Sequence, residues 1–408
     1  MGLSSPKVLS LQLSKQIKQY LVITGNYWAF TLTDGALRML VVLYFHQLGY
    51  SPLNIAMLFL FYEVFGVITN LIGGWLGARL GLNKTMNIGL ALQIVALSML
   101  TIPADMLTVT YVMAAQALSG IAKDLNKMSA KSSIKLLVPK ENEGKLYQWV
   151  AVLTGSKNTL KGIGFFLGGL LLTILGFKGA IILMASLLTI VWLFSLFALK
   201  DDLGKTKYKP KFTDILSKSS SINILSAARL FLFGARDVWF VVALPVFLAV
   251  NFHWDHWWVG GFMASWIIGY GIVQSVAPYI TGKEPTGKAA FFWASYLMLI
   301  PVAIALTLHF DFYIQASLIG GLLIFGGVFA INSSLHSYLI VSYADSEGVS
   351  LDVGFYYMAN AMGRLIGTLL SGWVYQEYGL ASCLWISALF LALTAIISTK
   401  LPSDGIKI

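Results

Sequence analysis

Apolar runs long enough to cross a bilayer occupy most of this chain. They fall at about 20–47, 52–78, 84–103, 107–130, 146–175 and 178–199, then 222–251, 257–281, 288–309, 313–341, 352–376 and 380–400. A polar stretch at 200–221 separates the two sets of six. Hydrocarbon leaves no partner for a free peptide group, so runs of this length must be helices. The expectation is an all-α membrane protein with about twelve transmembrane helices. Residues 1–199 and 222–408 would form two six-helix bundles around a central cavity, joined by a cytoplasmic linker at 200–221. Composition excludes the soluble alternative. The 408 residues are 57% hydrophobic and 11% charged, where a soluble domain carries about 25% charged residues.

Charge sets the orientation. The net charge of +10 is scattered between apolar runs, which argues against a nucleic-acid surface. With the N-terminus inside, nineteen Lys and Arg residues fall on cytoplasmic segments and one, Lys178, on the opposite side. That bias places both termini in the cytoplasm. The first 19 residues are polar and do not read as a cleavable signal. One cytoplasmic loop runs against the trend, with Asp345, Glu347 and Asp352 and no basic neighbour in sequence. The single cysteine, Cys383, excludes an intramolecular disulfide or a cysteine metal cluster.

Ionisable groups inside spans are costly and usually functional. Setting loop charges aside, with Lys131 and Lys135 among them, leaves eight basic groups: Arg38, Lys123, Lys127, Lys157, Lys161, Arg229, Arg236 and Arg364. Four acidic groups remain: Asp34, Glu63, Asp124 and Asp237. The positive surplus predicts an anionic substrate, since carboxylate and phosphate pair well with Arg and Lys. Lys123, Lys127 and Lys131 repeat every four residues, as do Lys157 and Lys161. Arg229 and Arg236 are seven apart. Each set lies on one helix face and should line the interior. The plainer reading of Lys127 and Lys131 is that they snorkel to the cytoplasmic mouth. Tyr356, Tyr357 and Asn360, just before Arg364, could add hydroxyl and amide donors. His253-Trp254-Asp255-His256 has metal-like spacing, but its tryptophans read better as an interfacial belt. No metal, no cofactor and no enzymatic constellation is expected.

Coupling by protons needs a group that changes protonation as the cavity alternates. Asp34 and Glu63 are the candidates, with Asp124 a third. Glu63 sits mid-span without a basic residue nearby in sequence.

Two short motifs suggest a family. Gly74-Trp75-Leu76-Gly77-Ala78-Arg79-Leu80-Gly81-Leu82-Asn83-Lys84 resembles the loop signature between helices two and three of the major facilitator superfamily. Ala78 stands where that signature carries Asp, and Leu82-Asn83 where it carries Arg-Lys. The gating role of that Asp is therefore open here. Gly164-Phe165-Phe166-Leu167-Gly168-Gly169 resembles the exporter motif of the same superfamily, with Phe165 in place of Pro. Plain helix packing explains the same glycines.

A closer resemblance rests on three stretches: Asn26 to Arg38 with Asp34-Gly35-Ala36-Leu37-Arg38, Lys123-Asp124-Leu125-Asn126-Lys127, and Lys157-Asn158-Thr159-Leu160-Lys161. They resemble the ArsJ family of organoarsenical-efflux permeases of bacterial arsenic resistance. That resemblance implies export of 1-arseno-3-phosphoglycerate across a bacterial inner membrane. It also implies a functional link to the glyceraldehyde-3-phosphate dehydrogenase that makes this compound from arsenate. Asn126 and Asn158 join the candidate binding residues through it. Organophosphate antiporters of the superfamily clamp phosphoryl groups with one Arg from each of spans one and seven. By that resemblance Arg38 and Arg236 form the clamp, and Lys157 and Lys161 the second anionic site. The plainer reading pairs Arg38 with Asp34 and Arg236 with Asp237 as structural locks. An organophosphate or sugar-phosphate exchanger, or another proton-coupled organic-anion exporter, stays open as the alternative.

Overall fold

The computed structural model describes residues 6–50, 58–138, 143–199, 203–206, 211, 213, 218–254 and 256–403. The side chains of 6–14, 46, 60, 143, 256 and 257 are outside that description. So is most of the predicted linker.

Every element of regular structure among the described residues is helical. In chain order they are α1 Pro6–Gln47, α2 Leu60–Leu80, α3 Leu82–Met99, a 3-10 turn Ala104–Met106, α4 Val109–Leu137 and α5 Glu143–Ala198. Then come α6 Ser220–Phe240, α7 Ala243–Asn251, α8 His256–Thr281, α9 Gly287–His309, α10 Ile314–Tyr343 and α11 Val349–Ser398. Seven helical stretches are long and apolar enough to cross a membrane on length and composition alone. Two of them, α5 and α11, each contain a chain reversal: Gly176 (φ 68°) and Gly379 (φ 76°) are non-helical. Glycine meets that conformation without the Cβ clash an L side chain would suffer. The reversals split α5 at 175/177 and α11 at 378/380, as the apolar pattern predicts. The predicted seventh span breaks at Val241 and Val242 into α6 and α7. The predicted first span starts too late, because α1 runs back through the polar residues to Pro6.

Glycine seams fix how the helices pack. A Cβ on Gly164 would strike the Leu32 carbonyl of α1, and one on Gly168 the Ala36 carbonyl and Met39. A Cβ on Gly363 would strike Leu230 of α6, and one on Gly367 the Gly234 backbone and Asp237. The exporter-like glycines thus serve close packing of α5 on α1. The two seams share one spacing, glycines four apart meeting Leu32 and Ala36 of α1 in one and Leu230 and Gly234 of α6 in the other, which puts positions 38 and 236 at the same register. Gly168→Val is expected to cost about 3 kcal/mol by overpacking, read as a lowered Tm in detergent.

At the end assigned to the cytoplasm, the first six helices close against the second six. A Cβ on Gly74 of α2 would meet the Ser350 carbonyl and Gly354 of α11. Ser350 Oγ donates to the Gly74 carbonyl at 2.8 Å, and Lys135 Nζ to the Ser342 carbonyl at 2.9 Å. The Tyr147 and Tyr338 rings lie 4.7 Å apart. Asp352, which has no basic neighbour in sequence, is paired with Lys218 at 3.3 Å. Where the loop signature lacks its Asp, the Ala78 carbonyl accepts from the Thr206 N–H at 2.9 Å and hydroxyl at 3.1 Å.

Candidate functional site

Above this closure, nine cations meet four carboxylates. Lys131 is one of the nine. Placing it with the loop charges is corrected here: it is 3% exposed and its Nζ donates to Thr154 Oγ1 at 2.6 Å and to Ser337 Oγ at 3.4 Å. Helix α4 continues to Leu137, which carries Lys131 inward instead of to the mouth.

The carboxylates organise most of the other cations. Glu63 Oε1 accepts from Arg38 Nη2 and Arg364 Nη2, each at 3.2 Å. The absence of a basic partner for Glu63 holds along the sequence but not in space, because α11 packs on α2 and the Arg38 side chain reaches across from α1. Arg364 Nε also reaches Asp237 Oδ2 at 3.2 Å. Arg236 binds Asp237 Oδ1 through Nη2 at 2.5 Å and Nε at 2.6 Å. The lock proposed for Arg236 and Asp237 is therefore present in geometry. The one proposed for Arg38 and Asp34 is replaced by the bridge to Glu63. Asp34 instead accepts from the Tyr62 hydroxyl at 2.8 Å and sits 4.0 Å from Lys161 Nζ. Asp124 pairs with Lys127 at 2.6 Å and Lys123 at 3.9 Å.

Three cations are paired with no carboxylate among the described residues. Arg229 is buried. Its Nε donates to Asn360 Oδ1 at 2.8 Å and its Nη1 to the Ser333 carbonyl at 3.2 Å. Lys131 has two hydroxyls. Lys157 makes no hydrogen bond or ion pair among the described residues; the charges around it are Lys127, Arg364, Lys123 and Asp34. Arg229 and Lys157 are both among the charges acting on Lys131. An uncompensated charge away from bulk water costs several kcal/mol; Arg229 and Lys131 are buried, and Lys157 is half-buried.

Aromatic faces hold the cations in place. Lys123 Nζ lies 3.8 Å from the Tyr62 ring centre, Lys127 4.5 Å from that of Tyr357, and Arg229 3.9 Å from that of Phe233. Each such contact is worth about 0.5–2 kcal/mol, and none neutralises the charge.

Not every candidate joins the cluster. Asn126 donates to its own helix at the Ala122 carbonyl, 2.9 Å, and lies against Gly89 of α3. It belongs to a helix seam. Asn158 donates to Gln274 Oε1 at 2.6 Å, and Gln274 Nε2 to Ser333 Oγ at 3.0 Å. That relay links α5, α8 and α10. Gln274 and Thr154 escape a sequence reading because uncharged polar residues in spans are common. In the His253 loop, Asp255 lies outside the described residues. Trp254 and Trp258 there line an open apolar cleft with Phe262. No group of three or more potential metal ligands occurs among the described residues.

The Major Facilitator Superfamily model matches residues 23–351. No curated protein matches the chain. Among solved structures, the E. coli fucose:proton symporter FucP aligns with a TM-score of 0.73 at 13% identity, covering 94% of this chain and 98% of that one. The human organic anion transporter TETRAN gives 0.74 at 15%, covering 93% and 99%. A bacterial homologue of the iron transporter ferroportin, in an outward-facing state, gives 0.72 at 13%, covering 93% and 98%. Identities this low speak for the fold alone, while the family match spans most of the sequence. The chain belongs to the major facilitator superfamily and is a multi-pass membrane protein with the architecture of a secondary transporter.

Proposed function

We propose that this transporter moves a small, multiply charged organic anion by alternating access. The observation that carries the reading is the cluster of three cations without a carboxylate: Lys131, Lys157 and Arg229. A carrier of hydrophobic cations would need the opposite sign at its centre. Arg229, Lys157 and Lys131 form the first anionic subsite, with Asn360 and the Asn158–Gln274 relay fixing its walls. Arg38 remains a candidate for a second subsite.

The resemblance to organoarsenical-efflux permeases supports a specific cargo and direction: export of 1-arseno-3-phosphoglycerate from the cytoplasm across a bacterial inner membrane, conferring arsenate resistance. The test is arsenate tolerance in a sensitive bacterium lacking its own arsenic exporters. The protein is expressed alone, the arsenic-linked glyceraldehyde-3-phosphate dehydrogenase is expressed alone, and the two are expressed together. Resistance with falling cell arsenic when both are present supports the cargo. No gain from the pair, with the protein in the membrane, removes the arsenical and leaves the anion.

Arg236 tests the clamp separately. Arg236→Lys cannot reproduce the two-nitrogen contact to Asp237 and is expected to lower transport about tenfold. Full transport in Arg236→Lys takes Arg236 out of substrate binding.

A further inference from the structure

The four interior carboxylates differ in one respect that matters to an entering anion. Asp124 and Asp237 are each 1% exposed, whereas Glu63 is 28% exposed, and its partners Arg38 and Arg364 are 27% and 28% exposed. Glu63 is the carboxylate that solvent reaches. Its bonds are also long for contacts to a guanidinium. One oxygen, Oε1, serves both guanidiniums at 3.2 Å, against about 2.7–2.9 Å for a tight charge-assisted bond. Asp237, 1% exposed, holds Arg236, itself 15% exposed, at 2.5 and 2.6 Å.

Two guanidiniums facing one cavity repel each other unless an anion lies between them. In this structure Glu63 supplies it. Arg38 comes from α1, Glu63 from α2 and Arg364 from α11, so the arrangement also ties the first half of the chain to the second.

We propose that Glu63 is a built-in counter-anion, which occupies the Arg38–Arg364 site in the empty carrier and is displaced when one anionic group of the substrate, a carboxylate or a phosphoryl, binds there. The proposal rests on the anion-transport reading and deepens it. It places the second anionic subsite between α1 and α11 instead of between α1 and α6, because Arg236 is held by a carboxylate the substrate cannot reach. It also makes the bridge between the halves exchangeable. Substrate takes over from Glu63 as the link, and the first half is then held to Arg364 through the cargo. Arg364 keeps its second contact, to Asp237 on its own half, so it stays positioned as Glu63 leaves.

Internal competition has a measurable sign: removing the competitor tightens binding. The experiment is calorimetric titration of the purified full-length protein in detergent at low salt, with 3-phosphoglycerate as the probe. Glu63→Gln keeps the side chain's shape and removes its charge. It is expected to bind the probe about tenfold more tightly than wild type. In the Arg38→Gln background the same change should give less than half that gain, since the site competed for has lost one arm. Should Glu63→Gln fail to accumulate, Glu63→Asp is the second variant. It is one methylene too short to reach both arginines and should tighten binding about threefold. If wild type binds the probe and neither variant binds it more tightly, the counter-anion proposal is wrong and the anion reading stands. If neither wild type nor variants bind 3-phosphoglycerate, glycerol 3-phosphate or inorganic phosphate, both are wrong.

Discussion

Replacing Arg229 by Ala is expected to cut anion transport by about 100-fold or more, through the loss of roughly 3 kcal/mol or more of charged hydrogen bonding to the bound anion. Arg229 lies at the meeting of α6, α10 and α11. Asn360 and the Ser333 carbonyl hold its Nε and Nη1, and Phe233 covers one face. Its partners are neutral, so its charge is free for the cargo. Arg229→Lys keeps the charge and loses the planar fork, and should retain an intermediate rate. Stability separates binding from folding. Without its cation the site loses an uncompensated buried charge, so Arg229→Ala should unfold no earlier than wild type in the absence of substrate. Substrate should no longer raise its Tm. The checks are initial rates in proteoliposomes and thermal unfolding with and without the anion. A variant transporting at more than a third of the wild-type rate removes Arg229 from the site.

The second large effect is expected at Gly354. A Cβ there would meet the Asn70 carbonyl and Gly74 of α2, at the closure between the halves. Gly354→Val cannot form that closure without moving α11 off α2. Alternating access needs both end states, so the variant should lose transport by about 50-fold or more, a destabilisation of the closed state by roughly 2–3 kcal/mol. It should rest open toward the cytoplasm. A cysteine introduced at Ser342, buried here beside Lys135, reports that opening in a Cys383→Ser background. Labelling from the cytoplasmic face should rise strongly in Gly354→Val. Unchanged labelling and transport would mean that the α2–α11 approach is not a gate.

The sequence discloses the helices and the charges of this protein far better than the pairings. Long apolar runs leave the backbone one solution, so the spans could be placed, and the reversals at Gly176 and Gly379 fall where the apolar runs end, while the ends of α1 at Pro6 and of α4 at Leu137 lie beyond the apolar runs. Interior charges were equally legible, because Lys157 or Arg229 inside an apolar run has no cheap explanation. What the sequence hides is which carboxylate neutralises which cation. Glu63 finds Arg38 across 25 residues and Arg364 across 301, separations that carry no periodic signal. Lys131 failed for a related reason: a four-residue stripe near the end of a span looks the same whether the helix stops or continues. Asn126 lies at a glycine seam, and an amide there has the same neighbours in sequence as an amide at a site.

The most direct test of the central claim is which compounds the cavity accepts. Tm is measured on the purified protein against a panel matched in size: 3-phosphoglycerate and glycerol 3-phosphate, neutral glycerol and sugars, and lipophilic cations. Wild type and the Lys157→Ala, Arg229→Ala double variant are compared. The account predicts that multiply charged anions raise the wild-type Tm and leave the double variant unmoved, while neutral compounds and cations do nothing to either. Stabilisation by the cations or the neutral sugars, or by anions equally in both proteins, would contradict it.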